Sequence, residues 1–209
     1  MPTPPETRSI KIGNDERTGW SSDRPRRDGA PPRPASLAVR GQVLEPSDRL
    51  RYTPGSLVLV ATPDPAEGER FLAGVLEDRS ALLSPQKVRK LLAGRVAEEE
   101  LEARATQLLD AAVQKRLDSG DAVVLVMEGF DAQDRERWVR AAAALRRPRH
   151  LVLLDGSAEQ ADRGALGDLR RTLMAGDLGE EGFHTAIRLG GSSATELNRI
   201  VFRSPPRDD

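Results

Sequence analysis

Residues 56–72 read SLVLVATPDPAEGERFL, and the reading of this stretch decides the fold. LVLVAT (57–62) forms a continuous, largely apolar run of strand length, which predicts a strand buried on both faces. A short polar turn follows. Phe71, Leu72, Val75 and Leu76 then recur at helical spacing, which predicts a helix over 66–78. A strand that enters a helix through a short polar turn is the layout of a phosphate-binding loop, whose signature is G-x-x-x-x-G-K-[ST]. The signature is absent. Placed without gaps, its first glycine falls on Thr62 and its later glycines on Pro65 and Glu67. The lysine falls on Gly68, and the hydroxyl positions on Glu69 and Arg70. A shift of one residue puts Glu67 at the lysine, and no register restores the motif.

The pattern repeats on either side of this stretch. ALL (81–83) predicts a short strand, and SPQKVRKLLAG a helix with Ser84 as N-cap, Pro85 in its first turn and Gly94 past its end. Residues 97–118 are the longest periodic segment, closed by Ser119-Gly120, and Glu98, Glu99 and Glu100 suit its positive end. AVVLVM (122–127) is a second apolar strand, DAQDRERWVRAAAAL (131–145) a helix with Trp138 on its core side, and HLVLLD (150–155) a third strand. A helix is expected over about 158–176, a strand within FHTAIRLG (183–190) and another within ELNRIVF (196–202). Strands alternating with helices predict βαβ units, a mostly parallel sheet and a three-layer α/β/α domain. Ligands in such sheets sit beyond the carboxyl ends of the strands. That rim comprises Thr62–Glu69, Met127–Phe130 and Asp155.

Three segments emerge: an arm over 1–42, a domain over 43–203 and a tail over 204–209. The arm is rich in Pro, Arg, Asp, Ser and Gly and has few apolar residues, so it is expected to stay disordered. Trp20 is its one large anchor, and Arg24, Arg26 and Arg27 form a cluster suited to docking. A formal net charge of −1 argues against a dominant attraction to nucleic acid, which leaves only a weaker reading through the arginine-rich arm. With no cysteine, disulfides, thiolate metal sites and cysteine nucleophiles are excluded. With only His150 and His184, a histidine-rich metal site is excluded too, and His184 reads as an ordinary strand-flank residue. No apolar stretch approaches ~18 residues and no apolar run follows Met1. A cytoplasmic protein without a membrane span is expected. The preference for Ala, Arg, Leu and Gly over Lys fits a high-GC bacterial coding sequence.

The order of these elements over about residues 50–190 resembles the P-loop kinases, in particular the AAA-type ATP-binding, polynucleotide-kinase-like predicted kinases. Three places carry the resemblance: Pro54-Gly55-Ser56-Leu57-Val58-Leu59-Val60 ahead of the loop, Ser84 to Arg89, and Arg135-Glu136-Arg137-Trp138. The resemblance implies a nucleotide site at Thr62, Glu67, Gly68, Glu69 and Arg70, with lid arginines Arg163, Arg170 and Arg171 toward the phosphate. The plainer reading of those arginines is a solvated helix face partnered by Asp162 and Asp168. The departures weigh against catalysis. Pro65 removes a backbone N–H, and Asp64, Glu67 and Glu69 set carboxylates where a polyphosphate would lie. Gln86 and Lys87 stand where the family places a proton-accepting acid. The expectation is a degenerate, non-catalytic relative that binds a protein partner, with no cofactor. The alternative is an active kinase or NTPase using Mg-ATP, with Glu128 or Asp155 for the metal and Arg70 or a lid arginine for the phosphate.

Overall fold

The structure is a computed structural model that describes residues 42–43, 49–155 and 164–204. Residues 1–41 of the expected arm, the expected lid start at 158–163 and the last five residues lie outside the described residues. The chain is α/β. A six-stranded parallel sheet is built from β1 (Gln42–Val43), β3 (Leu57–Ala61), β4 (Leu82–Leu83), β5 (Val123–Val126), β6 (Arg149–Asp155) and β7 (Thr185–Gly190). Its order is β1-β7-β6-β3-β5-β4, and every neighbouring pair is parallel. A separate parallel pair, β2 (Arg49–Tyr52) with β8 (Arg199–Phe202), forms a second small sheet. The alternating sequence pattern anticipated the large sheet but not the small one, because Arg49-Leu50-Arg51-Tyr52 is too short and too charged to read as a strand.

β3 lies between β5 and β6, and all five of its residues are buried. Its side chains alternate between two cores, which is why an unbroken apolar run is required. Leu57, Leu59 and Ala61 face a core shared with α3 (Glu98–Ser119), α4 (Ala132–Ala144) and α5 (Ala165–Ala175). Val58 and Val60 face the other, shared with α1 (Pro65–Val75) and the small sheet. These are the three layers. α2 (Pro85–Leu92) begins at Ser84, whose hydroxyl accepts from Lys87 N–H at 3.0 Å, and it ends before Gly94, at φ 73°. α3 ends at Gly120 in the left-handed conformation, as its Ser-Gly close predicts.

Two boundaries differ from expectation. α1 stops at Val75 rather than 78, because Leu76 turns extended and bridges Ile200, and Glu77 N–H donates to Ile200 O at 3.1 Å. The strand expected from 196 starts at Arg199, since Ser192–Glu196 form a short helix, α6. No helix among the described residues is long and apolar enough to cross a membrane.

Candidate functional site

Parallel pairing brings the ends of β3, β5 and β6 to one edge, which gathers Thr62, Met127–Phe130 and Asp155 as the sequence predicts. At the centre, only Thr62, Pro63 and Asp64 connect β3 to α1. Asp64 caps the helix: its Oδ1 accepts from Ala66 N–H at 2.9 Å and Glu67 N–H at 3.1 Å. Pro65, in the first turn, has no N–H to offer. The two amides that would face a phosphate are thus already held by a carboxylate of the same chain.

The other loop positions lie inside α1. Glu67 is exposed and Gly68 is buried against Thr62. A Cβ built at Gly68 would stand 2.8 Å from Thr62 Cγ2, so helix and turn are in contact with no space between them. Glu69 accepts a hydrogen bond from Ser84 Oγ, which ties α1 to the start of α2. Arg70 is exposed and its Nε donates to Ala66 O at 3.4 Å, along its own helix. These residues do not fit a polyphosphate: the amides are capped, the lysine position is a packed glycine, and the neighbouring side chains are acids.

The flanking acids are engaged by arginines. Asp155, its side chain 5% exposed, receives Arg170 from α5 and Arg188 Nε from β7 at 2.5 Å. Arg170, one of the two expected lid arginines within the described residues, has its guanidinium turned into the domain toward Asp155. Burial, then the charge of Arg188, lowers its pKa. Arg171 is exposed and pairs with Asp168 on its own helix, while Arg163 lies outside the described residues. On the other side of β3, Arg89 makes a two-pronged pair with Glu128, at 2.5 Å and 2.7 Å, and reaches Glu102 at 2.7 Å. The Glu128 carboxylate, and then Glu102, raise the Arg89 pKa above its ordinary value. Both acids that the alternative assigns to a metal are therefore salt-bridged. Among the described residues, no group of three or more His, Cys, Asp or Glu is placed to hold a metal ion.

Two hollows open on this edge. One, of about 110 Å³, lies between Thr62, Glu67, Gly68, Phe71 and Asp155. The larger, about 320 Å³, is lined by Pro85, Met127, Glu128, Asp134, Arg137 and Trp138. Trp138 is core, 6% exposed, and the Arg137 guanidinium lies 4.2 Å from its ring centroid. The wall of this cleft is fixed by Arg135, which is 3% exposed. Arg135 donates to Phe130 O and makes two 2.7 Å bonds to Glu181. Nothing in the sequence pairs residues 135 and 181, so this anchor was not foreseen.

Histidines lie elsewhere. His150 is the second residue of β6 and is buried, with its Nδ1 at 2.8 Å from Thr185 Oγ1. Burial, then the positive environment of His184 and Arg149, lowers its pKa to about 4. His184 accepts Arg149 N–H at Nδ1 at 3.1 Å, and burial lowers its pKa as well.

No protein-family profile matches the chain, and no curated protein matches its sequence. Among solved structures, the tunicamycin resistance protein of Deinococcus radiodurans is similar at a TM-score of 0.38 and 13% identity, over 68% of this chain and 91% of that one. A likeness that distant decides nothing about the site.

Proposed function

We infer that this chain is a P-loop-kinase-like protein that does not bind nucleotide at its strand–helix turn and that acts as a non-catalytic binding module. One observation carries the reading. The turn from β3 to α1 is three residues long, and Asp64 occupies the helix N-terminus with its own carboxylate. A phosphate loop works by offering inward-facing amides and a lysine to the ligand, and here both are replaced. The two acids at this edge are already paired, Glu128 with Arg89 and Asp155 with Arg170 and Arg188. What remains for a partner is the cleft beside Trp138 and its rim of Glu128, Asp134 and Arg137. The partner expected there is a protein.

The test is thermal melting of the full chain with and without millimolar Mg·ATP or Mg·GTP. A ligand at about 100 times its Kd stabilises the native state by ~2.7 kcal/mol, which shifts a melting curve visibly. The expected result is no shift with either nucleotide. A clear shift would overturn this reading and restore the alternative, an ATP-dependent kinase or NTPase with an atypical loop.

A further inference from the structure

We propose that the outward face of the small β2–β8 sheet docks an acidic, extended segment of a partner protein, which pairs along the open edge of β2 and sets its carboxylates against Arg49, Arg51 and Arg199. In the parallel register, Arg49 lies beside Arg199, Leu50 beside Ile200, Arg51 beside Val201 and Tyr52 beside Phe202. Leu50, Tyr52 and Ile200 turn inward to the core. Arg49, Arg51 and Arg199 turn outward and are exposed, Val201 beside Arg51 is buried, and Arg203 follows them, also exposed.

Like charges side by side on neighbouring strands destabilise a sheet. Here Arg49 and Arg199 are placed that way with little to offset them. Among the described residues, Glu77 is the one carboxylate paired with this group: it meets Arg199 at 3.8 Å and also pairs with Arg203. Among the described residues, neither Arg49 nor Arg51 makes an ion pair.

The backbone adds a second observation. β8 is engaged on both sides, by β2 and by Leu76–Glu77. β2 pairs only with β8 among the described residues, so its other edge presents unpaired N–H and C=O groups. An extended peptide satisfies such an edge by strand addition, and its alternate side chains fall on the arginine face. Charge complementarity makes that peptide acidic. A nucleic-acid strand fits less well. The nearest rings, Tyr52 and Phe202, pack toward the core, tilted with centroids 6.0 Å apart, and Tyr52 lies 4.5 Å from His150, so they present no platform for bases.

This face lies at the amino ends of the main strands. Tyr52 leads through Pro54-Gly55 into β3, and its ring meets His150 at the start of β6. The proposal therefore stands apart from nucleotide binding at the carboxyl edge. The plainer role for arginines on an edge strand is to block aggregation, and that role predicts no ligand.

The experiment is fluorescence anisotropy of a labelled ten-residue peptide of alternating Glu and Thr, titrated with the full chain at low salt. Saturable binding is expected. Arg49→Glu with Arg51→Glu should weaken it at least about tenfold, and so should raising the salt to about 0.3 M. N-methylation of alternate peptide amides should abolish it, because strand addition needs those donors. A Lys–Thr peptide should bind the charge-reversed variant and not the parent. An unchanged melting curve shows that the variant is folded, and Arg49→Gln with Arg51→Gln serves if it is not. Absence of binding to the parent, binding indifferent to N-methylation, or tighter binding of a twelve-residue thymidine oligonucleotide each overturns the proposal.

Discussion

Thr62 and Gly68 touch because α1 starts so soon after β3. Thr62 is 7% exposed and β-branched, so its methyl has little freedom to move. Its hydroxyl is also committed, donating to Asp64 O at 3.2 Å. Gly68→Ala should therefore destabilise the fold by about 1–3 kcal/mol, despite the usual helix preference for alanine. Thr62→Gly in the same chain should recover part of the loss, and urea denaturation of the two single variants and the pair measures this coupling. Because of the same contact, Gly68→Lys alone is not expected to rebuild a phosphate loop. Strict additivity of the two changes would show that the contact is not what fixes Gly68.

At the scale of elements, Arg135 joins three pieces: α4, on which it sits, the turn after β5 through Phe130 O, and the Glu181 segment after α5. Removing one partner of a buried pair leaves an uncompensated charge, whereas replacing both with apolar groups is often neutral. Glu181→Leu alone should cost about 3 kcal/mol, while Arg135→Met with Glu181→Leu should lie much nearer the parent. Urea melts of the two variants check this. A single variant as stable as the parent would show that Arg135 finds enough solvent to stay charged. The α4 sequence supplies the helix and its apolar stripe. Its pairing with a residue 46 positions away is visible only once β7 has brought the chain back.

At the scale of the molecule, the two sheets meet at His150, the second residue of β6, whose ring lies 4.5 Å from the Tyr52 ring of the small sheet. The groups facing it are Tyr52 from β2, His184 and Thr185 from the β7 segment, and Arg149 from its own strand. None is a carboxylate, so protonation gains no partner. The folded pKa, about 4, lies below the unfolded value of 6.5, so the unfolded chain binds more protons between them. Stability from this group is complete above about pH 6.5 and falls as pH drops toward 4, by about 3 kcal/mol in all. Stability measured from pH 7 to 4.5 should fall less steeply in His150→Leu than in the parent. Equal slopes would show that His150 stays neutral in both states.

The sequence by itself determined the layers. Unbroken apolar runs at 57–61, 123–126 and 151–154 permit only strands covered on both faces, and the helical stripes between them supply the covers. It also determined that the turn after β3 lacks the lysine and glycines of a phosphate loop, since those are residue identities. Tertiary structure decided what those residues do instead. Asp64 reaches its own helix amides because α1 begins at Pro65, and Arg170 turns inward because Asp155 ends the neighbouring strand. The small sheet likewise exists only because the chain end returns, pairing residues 49–52 with 199–202. Local propensity acts between near neighbours in sequence, so it fixes element type. Partners more than a hundred residues apart are chosen by packing, which a single sequence does not spell out.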